Sequence, residues 1–186
     1  MSLRSFKDIH FYQYLVTSQV FYQSQHTYAL VNIKPLVPGH ILVVPLRTSV
    51  IRFADLTPEE SIDYMNTLQL IHKFIQHAYK SDALNIAIQD GPESGQSVPH
   101  LHTHIIPRYA NDGYGDSIYT LIEQEDLAKR YDEFFKRKEL FWKSVDENNL
   151  GQNAGKRQIR SEEVMKKEAE WLCEELSKFI ELKKDS

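Results

Sequence analysis

The stretch that decides the fold is QDGPESGQSVPHLHTHIIPRY, residues 89–109, in which three of the eight histidines stand at alternate positions behind a Gly/Pro-rich loop. Because side chains alternate across a strand, a strand over 100–108 would place His100, His102 and His104 on one side. The mostly apolar residues between them would pack on the core, so the histidine side is expected to face a cleft or solvent. Three adjacent imidazoles predict a chemical role, because they cannot all be charged and each buried ring needs a hydrogen-bond partner.

Two kinds of chemistry use clustered imidazoles. Three histidine ligands and a water would form a catalytic zinc site. Alternatively, one neutral imidazole attacks an electrophile while its neighbours fix its tautomer and stabilise charge. The loop 90–99 favours the second chemistry, because Gly91 and Gly95 let backbone N–H groups approach an oxyanion and Gln96 and Ser97 add neutral donors. The loop therefore predicts a phosphate site, although it lacks the spacing and the lysine of a P-loop.

Length and composition restrict the class of protein. A chain of 186 residues can bury a core, and 41% hydrophobic with 26% charged residues is typical of soluble domains. A formal net charge of −4 gives no general attraction to nucleic acid, so no nucleic-acid partner is expected. Cys173 is the only cysteine, which indicates a reducing compartment, and no apolar run is long enough for a membrane span. We therefore expect an intracellular protein without a membrane partner.

The remaining pattern predicts an α+β fold. Thr57-Pro58-Glu59-Glu60 carries the N-cap, the proline and the capping-box glutamate of a helix start, and apolar residues at helical spacing continue to about Tyr79. Strands before and after this helix are indicated by β-rich runs between turn residues. The four predicted strands cover 29–33, 40–44, 83–89 and 100–108.

The last third of the chain differs in character. Residues 123–160 are rich in charge and include a glycine-containing polar run, so we expect a charged, partly disordered insertion there. It would separate a catalytic domain over 1–122 from a C-terminal helix over 161–186 that belongs to the same domain. The apolar stripe of that helix consists of Met165, Ala169, Leu172, Leu176 and Phe179.

Two polar residues on the upstream strands are further candidates. His40 follows Pro38-Gly39 at the start of a predicted strand, where it either caps the strand or supports a nucleophile from behind. Asn32 is an amide between apolar strand residues, and an inward amide needs a partner, for which a ribose hydroxyl is one candidate.

The run HLHTHII (100–106) matches the His-φ-His-φ-His-φ-φ pattern of the histidine triad superfamily, with Thr103 the one polar φ position. Within it, the chain most resembles the fragile histidine triad branch of dinucleoside triphosphate hydrolases. The runs that carry this resemblance are ALVNIKPLVPGHILVVPLR (29–47), DLTPEE (55–60), IQDGPESGQSVPHLHTHIIPR (88–108), DSIY (116–119) and RSEEVMKKEAEWL (160–172).

The resemblance implies a histidine triad fold: a five-stranded antiparallel sheet packed with a long central helix and a C-terminal helix. It implies a homodimer that cleaves diadenosine polyphosphates, preferably diadenosine triphosphate to AMP and ADP. His102 would be the nucleophile and form a covalent nucleotidyl-histidine, His100 and His104 would hold and orient the reacting groups, and His40 would lie behind them. The implied substrate-binding residues are Asn32, Gln89, Gly95, Gln96, Ser97, Val98 and His104.

Further implications of the resemblance are less direct. Tyr119 matches a tyrosine that is modified in animal members, and Phe11, Tyr14 and Val16 are candidates for the base pocket. A divalent cation, Mg²⁺ or Mn²⁺, would bind with the substrate, without a tightly bound metal, and the cytoplasm and nucleus are the expected compartments. Three alternatives stay open: a zinc hydrolase, a nucleoside phosphoramidate hydrolase of the same superfamily, and a nucleotide-binding signalling protein.

Overall fold

The computed structural model describes residues 7–110, 112–118 and 160–182. In this part of the chain, short strands alternate with one long helix in the middle and one at the end. The strands are β1 (His10–Phe11), β2 (Tyr14–Leu15), β3 (Val20–Gln23), β4 (Thr27–Val31), β5 (Ile41–Pro45), β6 (Ala83–Ile88) and β7 (Thr103–Arg108). The two long helices are α1 (Pro58–Tyr79) and α2 (Glu162–Leu182).

Five strands form one antiparallel sheet in the order β3-β4-β5-β7-β6, and β1 with β2 forms a separate hairpin. The predicted α+β class and sheet of about five strands are therefore confirmed. The strand predicted at 29–33 is present but begins and ends two residues earlier, and the strand predicted at 40–44 begins and ends one residue later. The first ends at Val31 because the side-chain oxygen of Asn32 accepts the N–H of Lys34 at 2.9 Å, which turns the chain out of the strand.

The strand of the histidines begins later than predicted. β7 starts at Thr103, so the placement of His100 and His102 inside a strand is wrong. The N–H of His100 donates to Val98 O and that of Leu101 donates to Val50 O, both at 2.8 Å, instead of joining the sheet. The two residues belong to an extended connection that leads into β7.

Helix α1 begins where the capping motif predicts. Thr57 Oγ1 accepts the Glu60 N–H at 3.2 Å, and Glu60 Oε2 accepts the Thr57 N–H at 2.9 Å, which is a complete capping box. The Glu60 carboxylate also accepts two hydrogen bonds from Arg47, at 2.8 and 2.6 Å, and so joins the helix start to the segment after β5.

Both long helices cover the same face of the sheet. Their inward residues and alternate residues of the central strands form the main core, and every member of the predicted α2 stripe is buried in it. The residues of this core that come from α1 and the sheet include Tyr64, Leu68, Ile71, Phe74, Ile75, Ala29, Val31, Ile41, Val43 and Ile105. None of the helices in the described ranges is long and apolar enough to cross a bilayer.

The opposite face of the sheet carries a second core, covered by the N-terminal segment. Its residues are Ile9, Val16, Val20, Tyr28, Leu30, Leu42 and Val44. In the register of β5 with β7, Leu42 is directly opposite His104, and opposed residues project from the same face. The histidine side therefore lies on the face away from the helices, beside the N-terminal segment.

Candidate active site

The four predicted histidines are brought together and buried. His40, His100, His102 and His104 are 2%, 0%, 3% and 9% exposed, so of the two surroundings expected for this side, a cleft or solvent, open solvent is not observed. The cover comes from the β1–β2 hairpin, which the sequence did not indicate. Phe11 packs against two of the rings, with centroid distances of 5.6 Å to His100 and 5.3 Å to His102.

His100 is held by the hairpin and by the end of β5. Its Nδ1 accepts the N–H of Tyr12 at 3.0 Å, so the neutral ring carries its proton on Nε2. Tyr12 lies in the turn between β1 and β2 and adopts a left-handed φ of 57°. Burial, and next the neighbouring His102, lower the pKa of His100 to about 4, whereas the backbone carbonyls of Pro45 and Arg47 act in the opposite direction. His100 is therefore a neutral, positioned ring at physiological pH.

His102 presents a lone pair. Its Nδ1 lies 2.8 Å from the His100 carbonyl oxygen, which can only accept, so Nδ1 carries the proton and Nε2 the lone pair. Burial lowers the pKa of His102, and the His100 carbonyl opposes this effect. The Phe11 ring stands edge-on to the imidazole, at an interplanar angle of 84°. These contacts produce a neutral imidazole with a fixed tautomer, which is the state required of a nucleophile.

His40 and His104 form a directed pair. The N–H of Leu36 donates to His40 Nδ1 at 3.0 Å, so His40 is protonated on Nε2 and donates from there to His104 Nδ1 at 2.9 Å. His104 then carries its proton on Nε2. Asn32 Nδ2 lies 3.2 Å from the same His40 nitrogen. The Leu36 N–H thus determines, through His40, which nitrogen of His104 is a donor.

The predicted phosphate loop is a tight turn built on two glycines. Gly91 and Gly95 have φ values of 112° and 83°, which favour glycine. The N–H groups of Gly95 and Gln96 donate to the carbonyls of Pro92 and Gly91, at 2.9 and 3.1 Å. The Gln96 amide accepts the Gly91 N–H at 3.0 Å and donates to Ile51 O at 2.7 Å. In this conformation these groups hold the loop, and their contact with phosphate stays a prediction.

The other predicted binding residues lie on the borders of this loop. Gln89 follows β6 and is 8% exposed, and its Nε2 has no hydrogen-bond acceptor within the described ranges. Ser97 and Val98 are half-buried in the connection to His100. Since an unpartnered buried amide is unfavourable, Gln89 is suited to receive an acceptor from a ligand.

The three base-pocket candidates belong to the N-terminal segment beside the histidines. Phe11 contacts them, whereas Val16 is buried in the second core and Tyr14 is on β2 with 36% of its surface exposed. The proposed modification site at Tyr119 and the charged segment from 123 onward, up to residue 159, lie outside the described residues.

The donor groups that sequence reasoning missed are backbone groups. The N–H groups of Tyr12 and Leu36 set the tautomers of His100 and His40, and no residue type signals such a role.

One side-chain donor was also missed. The guanidinium of Arg160, at the end of the charged segment, donates to the backbone carbonyl of Asn32. In the described ranges there is no group of three His, Cys, Asp or Glu side chains placed to hold a metal.

Comparison with known proteins identifies relatives that match over most of the chain. A family model described as HIT domain matches residues 15–111. Bis(5'-adenosyl)-triphosphatase of Saccharomyces cerevisiae is 48% identical over 194 residues, covering 94% of this chain and 94% of that protein. Bis(5'-nucleosyl)-tetraphosphatase [asymmetrical] of Schizosaccharomyces pombe is 38% identical over 172 residues, covering 89% and 93%. The crystal structure of Plasmodium falciparum diadenosine triphosphate hydrolase in complex with Cyclomarin A matches with a TM-score of 0.62 and 27% identity, covering 94% of this chain and 88% of that one.

Proposed function

The chain belongs to the HIT domain family, and on that premise we propose that it hydrolyses dinucleoside polyphosphates, preferably diadenosine triphosphate to AMP and ADP. The reaction class is supported by one observation above all: the hydrogen bond from His102 Nδ1 to the His100 carbonyl leaves a lone pair on Nε2 of a buried, neutral ring. The substrate class is supported by the names and similarity of the relatives from budding yeast and Plasmodium falciparum.

In the proposed mechanism, the lone pair of His102 Nε2 attacks the α-phosphorus of one nucleotide. A P–N bond forms, the bridging P–O bond breaks and ADP leaves, so that AMP stays attached to the imidazole. Water then attacks the same phosphorus from the opposite direction and loses one proton to solvent, the P–N bond breaks, and AMP is released with the neutral ring restored. Covalent catalysis thus divides one displacement into two in-line steps.

The other histidines have two roles in this mechanism: one stabilises charge and the others fix tautomers. The relay from Leu36 N–H through His40 leaves His104 as a donor from Nε2, and this N–H would stabilise the negative charge that develops on the phosphoryl oxygens. His100 acts on the nucleophile, because its carbonyl oxygen fixes the tautomer of His102. Because His104 is a preorganised and buried donor, it would stabilise this charge with little reorganisation of solvent.

Substrate binding would use polar groups around the histidines. We propose that Asn32 and Gln89 bind the nucleoside and that residues 95–98 contact the phosphates. The buried Gln89 Nε2, which lacks an acceptor in the described part of the chain, supports its assignment. A divalent cation such as Mg²⁺ bound to the substrate phosphates would neutralise part of their charge, and no set of protein ligands is needed for it.

The assembly is proposed to be a homodimer, active in the cytoplasm and nucleus. β6 lies at one edge of the sheet, and its Ile86 is 49% exposed. Such an edge is a template for pairing with another chain. Light scattering coupled to gel filtration measures the mass in solution, and a monomer at micromolar concentration would contradict the homodimer.

The decisive experiment compares diadenosine tri- and tetraphosphate side by side, with product analysis and with trapping of labelled nucleotide on the protein. The tetraphosphate is the second candidate substrate, because the fission yeast relative is named a tetraphosphatase. We expect faster cleavage of the triphosphate, AMP among the products, and an acid-labile label on wild-type protein.

His102→Asn should abolish both turnover and labelling but retain nucleotide binding, whereas His72→Asn on helix α1 should behave as wild type. Turnover by His102→Asn at a tenth of the wild-type rate would refute the assignment. A preference for nucleoside phosphoramidates would favour the superfamily alternative. Absence of turnover together with tight nucleotide binding would favour a signalling role.

A further inference from the structure

The side chain of Arg160 binds the backbone carbonyl of Asn32, a proposed nucleoside-binding residue. Its Nη2 and Nε donate to the Asn32 carbonyl oxygen at 2.6 and 3.1 Å, and its own N–H donates to Ile33 O at 3.1 Å. Two donors of one guanidinium on one carbonyl oxygen fix the plane of the peptide that follows Asn32. The orientation of the Asn32 side chain, which starts from the same residue, is thereby restricted.

The guanidinium is itself held by the C-terminal helix. Glu168 of α2 pairs with Arg160 Nη1, and both side chains are 18% exposed. Tyr79, the last residue of α1, donates from its hydroxyl to the other oxygen of Glu168 at 2.9 Å. Burial and the adjacent Glu168 raise the pKa of Tyr79, so it stays a neutral donor. The side chain of Arg160 is therefore restricted in orientation, because its planar guanidinium is paired with a carboxylate that Tyr79 also holds.

Tyr79 also packs beside the active site, against the residue that precedes His40. A Cβ at Gly39 would lie only 2.7 Å from an atom of the Tyr79 ring, so the ring is packed directly on the backbone that precedes His40. On the far side of His40, Asn32 Nδ2 lies 3.2 Å from Nε2. With His40 protonated on Nε2, both atoms are donors, so this is a packing contact between the two side chains and not a hydrogen bond. These contacts connect Arg160 to His40 by two routes. One route passes through Asn32, and the other passes through Glu168, Tyr79 and Gly39.

We propose that Arg160 is a positioning residue for the active site: through Asn32 and the Glu168–Tyr79 contact, it sets the position of His40 and hence of the donor on His104. The proposal rests on the proposed function for its kinetic consequences, but not for its structural ones. The C-terminal helix would thus contribute to catalysis without touching the substrate.

The test uses the full chain with Arg160→Lys, which keeps the charge but cannot offer two donors in a fork. Lys167→Gln, which removes an exposed lysine that pairs with Glu163 on the same helix, is the matched control. We expect Arg160→Lys to lower kcat/KM for diadenosine triphosphate by about tenfold or more, the size of a lost charge-assisted hydrogen bond. A raised KM would indicate that Asn32 binds the nucleoside less well. A lowered kcat would indicate that His40 and His104 are displaced.

Two readouts separate positioning from general destabilisation and from failure of the proposed function. The imidazole ¹⁵N shifts of His40 and His104 need no turnover, and they should change in Arg160→Lys but not in Lys167→Gln at a temperature well below both Tm values. Binding of AMP, measured by calorimetry, should weaken in Arg160→Lys. Unchanged imidazole shifts with kinetics or AMP affinity within twofold of wild type would overturn the proposal. If wild-type protein has no hydrolase activity, the shifts and AMP binding still decide it.

Discussion

Acid should destabilise the folded protein through His100. Burial and the neighbouring His102 lower the pKa of this imidazole to about 4, from an ordinary value of 6.5. A histidine whose pKa is lower in the folded state destabilises it only when protons begin to bind the unfolded chain. Its contribution is thus constant above pH 6.5, and stability is lost as the pH falls from 6.5 towards 4. A proton on Nδ1 would also remove the acceptor of the Tyr12 N–H.

The magnitude follows from the two pKa values. At about 1.4 kcal/mol per pKa unit, the change from 6.5 to about 4 corresponds to a loss of about 3 kcal/mol over the whole window. About 2 kcal/mol of this falls between pH 7 and pH 5. Buried carboxylates contribute below that interval, since Glu60, whose pKa is lowered to about 2 chiefly by its hydrogen bond with Arg47, loses its contribution only as the pH falls through 4.5 towards 2.

Urea unfolding of wild type and His100→Asn at pH 7, 6 and 5 measures this contribution. Asparagine retains an oxygen that can accept the Tyr12 N–H but does not titrate. Whatever the stability of the variant at pH 7, the wild type should lose about 2 kcal/mol more than the variant by pH 5, or about 1 M in urea midpoint. If the two proteins lose stability in parallel across this interval, the pKa of His100 is not lowered by burial and the reasoning is refuted.

Three further substitutions test the fold and the site. Gly39→Ala should cost about 2 kcal/mol and lower Tm by several degrees, because φ is 80° and the new Cβ would meet the Tyr79 ring; calorimetry measures this, and an unchanged Tm would contradict it. Thr57→Ala should cost about 1 kcal/mol in urea unfolding while Thr57→Ser costs little, since serine also caps; equal losses would exclude the cap as the cause. Phe11→Ala should lower kcat about tenfold or more by releasing the His102 ring, with Phe11→Leu less affected, and wild-type kinetics in both would remove the ring from the mechanism.

Features that depend on neighbouring residues were predictable from the sequence. Helix α1 begins at Pro58 and ends at Tyr79 as expected, because its capping box and its apolar spacing are local signals. The stripe of α2 is buried as predicted for the same reason. The histidine cluster was identified because period two is a strong signal for one side of an extended chain, even though only His104 of the three lies within β7.

Features that depend on distant backbone groups were not predictable. The late start of β7 is one example, because the Leu101 N–H donates to Val50 O instead of joining the sheet. The Gln96 amide also joins Gly91 to Ile51, a contact that the sequence did not indicate, while its contact with phosphate stays a prediction. Since a side-chain amide binds a carbonyl as readily as a phosphate, only three-dimensional placement distinguishes the two uses.

The contact between Arg160 and Asn32 also has a consequence for biosynthesis, because it joins residues 128 positions apart. The bonds from Tyr12 to His100 and from His40 to His104 span 88 and 64 positions. Closing such long loops costs entropy before the contacts repay it, and non-local contacts slow folding. On the ribosome, the sheet can assemble once residue 108 has emerged. The contacts of Arg160 and Glu168 that connect to His40 must wait for α2. A nascent chain would therefore hold a nearly complete sheet for some time before it could support efficient turnover.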